Sequence, residues 1–414
     1  MVLNSSVAYV DGMLSVDKHP VSSISAEMGT PLYIYSLPRA LANYERLKEQ
    51  FSSIQPDIHY SAKANGNLAI LEALIKAGAG IDVVSGGEFF RALKAGARGE
   101  DIVFAGVGKT PEDMRYALEN HVGWFNVENI DELGIINQLT ASLGLPPTKI
   151  AMRLNPDVKA STHQHIATGH GTAKFGLSAA IIRDVFQNQA NYPHLHFAGI
   201  HIHIGSQLQD TQATLQALQT AVELISPYED IRTVNIGGGI PVAYRPDEQL
   251  PDVESFAKLI SPVLKSFRVI MEPGRSIIAD AGLLVTRVLY IKEQAGQRVV
   301  IVDASMTELI RPALYQAYHH ILPVKQTTSD MLPTQVVGPV CESTDVLSQQ
   351  VDLPVDLKPG DLLAVLTAGA YGMVMASNYN ARPRPAEVVI SEDGQDWHIV
   401  RRRETWEDLI QQEI

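Results

Sequence analysis

IHYSAKANGNLAILEALIKAGAGIDVV, residues 58–84, holds one complete strand–helix–strand sentence. Ile58–Ser61 is short and rich in β-branched and aromatic residues. Leu68–Ala77 is longer and amphipathic, and Ile81–Val84 is again a short apolar run. The pattern predicts a parallel βα unit, because parallel neighbours need a helical crossover between them. The same grammar recurs downstream. Further strands are predicted at Ile102–Ala105, Trp124–Val127, Ile150–Leu154, Phe197–Ile202, Thr233–Ile236 and Arg268–Met271, with helix-like stretches such as Glu88–Ala95 between them. Eight such units predict a (β/α)₈ barrel of the TIM type.

After Gly274 the grammar changes. Leu283–Ile291, Arg298–Val302, Gln335–Val340, Leu362–Thr367, Ala386–Ile390 and Trp397–Val400 follow one another with few helices, which predicts a mostly β domain. Val7–Val16 reads as a hairpin turning at Asp11-Gly12. The expected organisation is a barrel over 29–276, with 1–28 and 277–414 together forming a β-rich domain. Asp352–Gly360, with two prolines, reads as a loop.

Bulk properties narrow the function. A length of 414 residues suits two domains, and 45% hydrophobic with 19% charged residues is ordinary globular composition. The 33 basic and 46 acidic residues give 33 − 46 = −13, which argues against nucleic acid or an anionic membrane as partner. Asp11 and Asp17 interrupt the N-terminal segment, so it does not read as a signal peptide. The single cysteine, Cys341, has no intrachain partner for a disulfide. A reducing cytoplasm is the expected setting.

The residues that follow the predicted strands include Lys63, Ser85, Gly106, Glu128, Asn155, His203, Gly237 and Glu272. In such barrels the C-terminal strand ends form the active-site mouth. A lysine there can shed its proton and condense with an aldehyde, although Lys63 taken alone reads as a solvated loop lysine. Gly237-Gly238-Gly239 lets backbone N–H groups approach a phosphate, or simply makes a tight turn. Glu272-Pro-Gly-Arg275 offers an acid beside a glycine and an arginine. His201 and His203 alternate on one strand and so share a face. Paired histidines also suit a metal-dependent barrel hydrolase, with His163, His165 and His170 as further ligands. One cofactor would use all these strand ends together. Pyridoxal phosphate needs a lysine (Lys63), a phosphate cradle (Gly237–Gly239), an acid for its pyridine nitrogen (Glu272) and a side chain against its ring (His203).

At this point the blocks resemble the diaminopimelate decarboxylases, within the barrel-type group that includes ornithine and arginine decarboxylases and alanine racemase. The matching blocks are Tyr60-Ser-Ala-Lys-Ala-Asn65, Val84-Ser-Gly-Gly-Glu88, His203-Ile-Gly-Ser-Gln207, Gly237–Gly239 and Glu272-Pro-Gly-Arg275. They continue with Leu309–Tyr315, Gly338-Pro-Val-Cys-Glu-Ser343, Gly369-Ala-Tyr-Gly372 and Ser377–Glu387. The resemblance spans nearly the whole chain.

It implies a role for each residue. Lys63 would bond covalently to the cofactor and His203 would stack on its ring. Ser206, Gly239, Gly274 and Arg275 would line the phosphate site, beside Gly237 and Gly238, and Glu272 would pair with the pyridine nitrogen. Arg275, Arg311 and Tyr315 would hold substrate carboxylates, and Tyr371 would contact cofactor and substrate. Cys341 and Glu342 would come from the other subunit of a homodimer, with Cys341 helping to protonate the α-carbon and Glu342 facing substrate. The implied reaction is decarboxylation of an amino acid, meso-diaminopimelate to L-lysine. A related diamino acid, a siderophore precursor and a carrier-bound substrate stay open as alternatives, as does a non-catalytic regulatory homologue. The chain departs from the family pattern at Ile240-Pro241, where relatives commonly carry a glycine, and upstream of Lys174-Phe-Gly176.

Overall fold

The computed structural model describes residues 3–156, 174–203, 205–207 and 211–414. The chain divides into two compact units.

One unit comprises Tyr44–Pro241 and Leu250–Arg275. Among the described residues it closes a parallel barrel from Asp57–Ser61, Gly80–Val83, Ile102–Phe104, Trp124–Val127, Thr148–Leu154, Leu195–Ile202, Thr233–Asn235 and Arg268–Met271. All eight strands read from the sequence are present, and their neighbours pair in chain order until Arg268–Met271 closes on Asp57–Ser61. Strands facing helices outside and side chains inside must be apolar on both faces, which explains their nearly continuous hydrophobic runs. Val103, Trp124, Ala151, Ala198 and Ile270 pack together as buried core residues of this unit.

The connecting helices carry their own start signals. Ser85 caps Gly86–Lys94 by accepting the Glu88 N–H at 3.2 Å. Asn129 and Glu132 form a reciprocal capping box at Ile130–Ser142, satisfying amides that the first turn leaves unpaired. Such caps fix where each strand end stops and its helix begins, so they set the positions of residues at the barrel mouth.

The other unit comprises Met1–Asn43, Val242–Gln249 and Ser276–Ile414. Its main sheet runs Val346–Pro354, Met331–Val337, Gln297–Val302, Gly282–Gln294, Leu32–Ser36, Ala386–Ile390 and Trp397–Arg401, with Leu362–Val365 and Ile321–Pro323 branching from it. The hairpin expected at Val7–Val16 is present, with Val10 paired to Met13 across Asp11 and Gly12. Both turn residues have positive φ, 48° and 75°, the twist that a two-residue hairpin turn requires. Leu14, Val16, Ile24, Leu32, Ile34, Leu283, Val285, Val388 and Ile390 form its buried core.

Two sequence expectations need correction. Residues 29–43 and Val242–Gln249, expected within the barrel, group with the β-rich unit, where Leu32–Ser36 pairs with Gly282–Gln294 and Ala386–Ile390. Asp352–Pro354 is not loop but the end of a strand, with Asp352 paired to Pro333 and Pro354 to Met331. Proline survives there because it stands at the strand terminus.

Candidate active site

Lys63 follows the first barrel strand on a single turn of 3₁₀ helix, Ala62–Ala64. Its Nζ donates to Asp82 Oδ2 at 3.1 Å. The Ser61 hydroxyl donates to the same oxygen. Asp82 stands in the middle of its strand, fully buried. Burial, and then the nearby Glu272 charge, push its carboxyl up to about 6, against the opposing pull of Lys63.

Glu272 is fixed by three neighbouring elements. Its Oε1 accepts from Asn126 Nδ2 at 2.8 Å and from Asn235 Nδ2 at 2.6 Å. His201 Nε2 lies 3.3 Å from Oε2. Burial alone would raise this carboxyl. His201, Lys63 and the Asn235 amide outweigh burial and hold it well below the usual carboxylate range. Glu272 is therefore a buried acid that keeps its negative charge.

The glycine run lies beside it. Gly237 N–H donates to Asn235 Oδ1 at 2.9 Å, and Gly238 N–H donates to His203 Nδ1 at 3.2 Å. Gly237 and Gly239 take φ of 65° and 103°. A Cβ at Gly238 would stand 2.5 Å from the Glu272 carbonyl oxygen, so the close approach is open only to glycine. The buried Ile240 continues the loop. His203 is pushed well below an ordinary imidazole by burial and by the Arg153 and Lys63 charges. It is thus a neutral ring whose Nδ1 is occupied by the loop. Arg275 donates through Nε and Nη2 to Ser206 Oγ, both at 3.2 Å. Gly274 packs so tightly that a Cβ would come within 2.9 Å of the Ala64 Cβ.

The barrel unit therefore gathers Lys63, His203, Ser206, Gly237, Gly238, Gly239, Glu272, Gly274 and Arg275 at consecutive strand ends. The fit to pyridoxal phosphate is chemical. A strand-end lysine, a glycine cradle closed to side chains, a neutral imidazole and a persistent carboxylate answer the aldehyde, phosphate, ring face and pyridinium in turn.

Sequence reasoning missed Asp82, Asn126 and Asn235, and considered His201 only as half of a metal-binding pair. A signal existed. Each is a polar residue inside an apolar barrel strand, and a buried polar group requires a partner. His163, His165 and His170, offered as metal ligands, lie outside the described residues. Among the described residues no cluster of three His, Cys, Asp or Glu side chains is arranged to hold a metal ion.

In the β-rich unit, Arg311 opens the short helix Arg311–Tyr315 and is buried. Tyr315 ends that helix, half-buried. Cys341 is exposed, and its N–H donates to Asn380 Oδ1 at 2.9 Å. Glu342 Oε1 accepts from the Tyr379 hydroxyl at 2.5 Å. Tyr371 adopts φ of 56° in a loop whose Gly372 sits against the Tyr33 hydroxyl.

Comparison with known proteins agrees with this arrangement. Residues 39–279 match the family model for the pyridoxal-binding domain of pyridoxal-dependent decarboxylases. Diaminopimelate decarboxylase of Pseudomonas aeruginosa is 42% identical over 97% of both chains, and that of Zymomonas mobilis is 41% identical with the same coverage. Among solved structures, the M. jannaschii diaminopimelate decarboxylase in complex with L-lysine superposes with a TM-score of 0.92 at 36% identity, covering 99% of this chain and 98% of that one. The Helicobacter pylori diaminopimelate decarboxylase with L-lysine gives 0.89 at 38% identity, covering 95% and 98%. With motifs, fold and near-complete coverage in agreement, the chain belongs to the diaminopimelate decarboxylase family of pyridoxal-dependent decarboxylases.

Proposed function

We propose that this carboxy-lyase converts meso-diaminopimelate to L-lysine in a homodimer whose two active sites are each completed by the other subunit. The observation that carries the chemistry is Glu272, a buried carboxylate kept ionised by Asn126, Asn235 and His201. Lysine bound to the M. jannaschii and Helicobacter pylori relatives supports the substrate.

Pyridoxal phosphate, when bound, supplies an electron sink for the pair left behind as CO₂ departs. The residues of the chain do the rest. Glu272 would hold a proton on the pyridine nitrogen, since an acid that stays charged favours a protonated base beside it. Lys63 would hold the cofactor aldehyde at its Nζ, with Asp82 placed to take up or release a proton beside that nitrogen. Gly237–Gly239, Ser206, Gly274 and Arg275 would anchor the phosphate. His203, neutral, would pack on the ring face without opposing its positive charge. Arg275, Arg311 and Tyr315 would hold carboxylates and Tyr371 would contact substrate. Cys341 and Glu342, both exposed in the single chain, would be supplied to the other subunit, with C₂ symmetry pairing them reciprocally.

A substrate panel with CO₂ detection tests the assignment. It should contain meso-diaminopimelate, its other stereoisomers, lysine, ornithine, arginine and a citrate-linked diamino acid. Release from meso-diaminopimelate with L-lysine as product is expected. Release only from the conjugated substrate would move the chain into siderophore assembly. Borohydride reduction followed by peptide mass analysis should place the cofactor on Lys63.

A further inference from the structure

Within the β-rich unit, the buried Arg311 guanidinium is clamped from two directions. Nη1 lies 2.8 Å from His319 Nε2, and Cζ stands 4.7 Å from the centre of the Tyr244 ring. The two rings meet edge to face, 5.2 Å apart at 84°. His319 and Tyr244 are as buried as Arg311 itself.

The partners decide the state of His319. Its Nδ1 lies 3.0 Å from the Leu366 carbonyl oxygen, which can only accept, so Nδ1 carries the hydrogen. A guanidinium can only donate, so Nε2 must present its lone pair. His319 is thus a neutral acceptor locked in one tautomer. Its backbone neighbourhood is pinned as well, because Leu366 N–H donates to the His320 carbonyl at 2.8 Å. Tyr244 is held by a local turn in which Glu248 Oε2 accepts the Tyr244 and Arg245 N–H groups at 2.8 and 3.3 Å. Imidazole and phenol ring both orient the guanidinium, and neither carries a negative charge.

We propose that His319 and Tyr244 are positioning residues that aim Arg311 at the carboxylate which survives the reaction. The inference rests on the reading that Arg311 binds a substrate carboxylate. It selects the retained one on chemical grounds. Pairing the departing carboxylate with a fixed cation would stabilise it as an anion and oppose its loss as neutral CO₂. The retained carboxylate has no such conflict, and a rigid arginine gives it a directional, charge-assisted anchor. Specificity for substrates with a second carboxylate then depends on three residues, only one of which touches it.

The test uses the holoenzyme and compares H319L, H319Q, Y244L and Y244F with R311K. Readouts are KM and kcat for meso-diaminopimelate, and inhibition by L-lysine and by cadaverine, which lacks the carboxylate. H319L and Y244L should each raise KM and weaken lysine inhibition roughly ten- to thirtyfold, with kcat and cadaverine inhibition near wild type. H319Q, which can donate to Leu366 and accept from Arg311, should restore lysine binding, as should Y244F, which keeps the ring. If R311K weakens lysine binding while H319L and Y244L do not, the clamp is overturned and the role of Arg311 stands. If R311K leaves lysine binding unchanged, the carboxylate role itself fails, and the clamp with it. Equal loss of lysine and cadaverine binding in H319L and Y244L also overturns the clamp, since that marks a general structural effect.

Discussion

Asp82 and Lys63 form a lopsided ion pair, 3.1 Å long, in which the carboxylate is wholly buried while about a third of the lysine side chain meets solvent. Asp82 also takes the Ser61 hydroxyl, and burial lifts its carboxyl to about 6. A carboxyl at about 6 can take up and release a proton beside Nζ close to neutral pH. D82N keeps the size and hydrogen bonding but removes that capacity. Turnover should fall on the order of a hundredfold, the usual scale for a general acid–base group, with cofactor still bound by absorbance. Unchanged turnover would remove Asp82 from proton handling.

Glu272 makes a different demand, for a charge that never titrates in the working range. E272Q preserves contacts to Asn126 and Asn235 yet gives up the anion. The loss of pyridinium stabilisation should add about 4 kcal/mol to the barrier, on the order of a thousandfold in kcat. N235A removes one charge-assisted hydrogen bond and should lower kcat roughly tenfold, in line with about 1.5 kcal/mol for such a bond. Steady-state kinetics at saturating cofactor separates the two.

These residues show what the sequence could and could not announce. Lys63, Glu272 and the glycines stand just past strand ends, where a motif is contiguous and a barrel places its mouth. The strands themselves were legible because parallel barrel strands are short apolar runs. Asp82, Asn126, Asn235 and His201 are contributed one per strand, from inside those runs. Only closing the barrel brings them within hydrogen-bond reach of Lys63 or Glu272. The clamp on Arg311 was hidden for the same reason, since Tyr244 and His319 are 75 residues apart in the chain. Strands Leu32–Ser36 and Val346–Pro354 escaped because the first, five residues long, runs straight into the helix Leu37–Gln50, and the second is interrupted by the polar Gln349, Gln350 and Asp352.

Gly238 offers a steric test of the cradle. An added methyl would stand 2.5 Å from the Glu272 carbonyl oxygen, and that oxygen is backbone with little freedom to withdraw. G238A should push the loop away from the position that meets a phosphate. Cofactor affinity should fall roughly tenfold or more, the result of losing about 1.4 kcal/mol of binding. Titration of the cofactor-free protein with pyridoxal phosphate, followed by absorbance, measures it directly.

Glu88 carries a pH signature. Its carboxylate accepts the Val84 N–H at 2.8 Å, but burial pushes the acid up to about 7. A carboxyl raised on folding favours the folded state fully below its ordinary value of 4.5. That contribution is lost as pH rises through about 7. E88Q can still accept from Val84 through its amide oxygen and cannot ionise. The stability of E88Q relative to wild type should therefore rise between pH 5 and pH 9 by about 2 kcal/mol. Paired thermal denaturation curves across that range check the sign, and a difference that stays flat would refute the assignment.

Lys109 presents the sharpest stability prediction. Its side chain is fully enclosed, 2.8 Å from Glu132 Oε1, and donates to the carbonyls of Gly106 at 2.6 Å and Asn126 at 2.9 Å. Glu132 in turn accepts the Glu128 and Asn129 N–H groups through Oε2. K109M would leave a buried carboxylate without its cation and two carbonyls without their donor. It should cost about 3–5 kcal/mol, the scale for breaking one half of a buried pair. E132Q should cost less, because an amide oxygen can still accept the two backbone N–H groups. In K109M/E132Q no buried charge remains, so the double variant should be more stable than the sum of the singles predicts, by about 1–3 kcal/mol of coupling. Urea denaturation of the four proteins closes the cycle. Strict additivity would mean that Lys109 acts through its two carbonyl contacts, one of them to the backbone of Asn126, whose side chain holds Glu272.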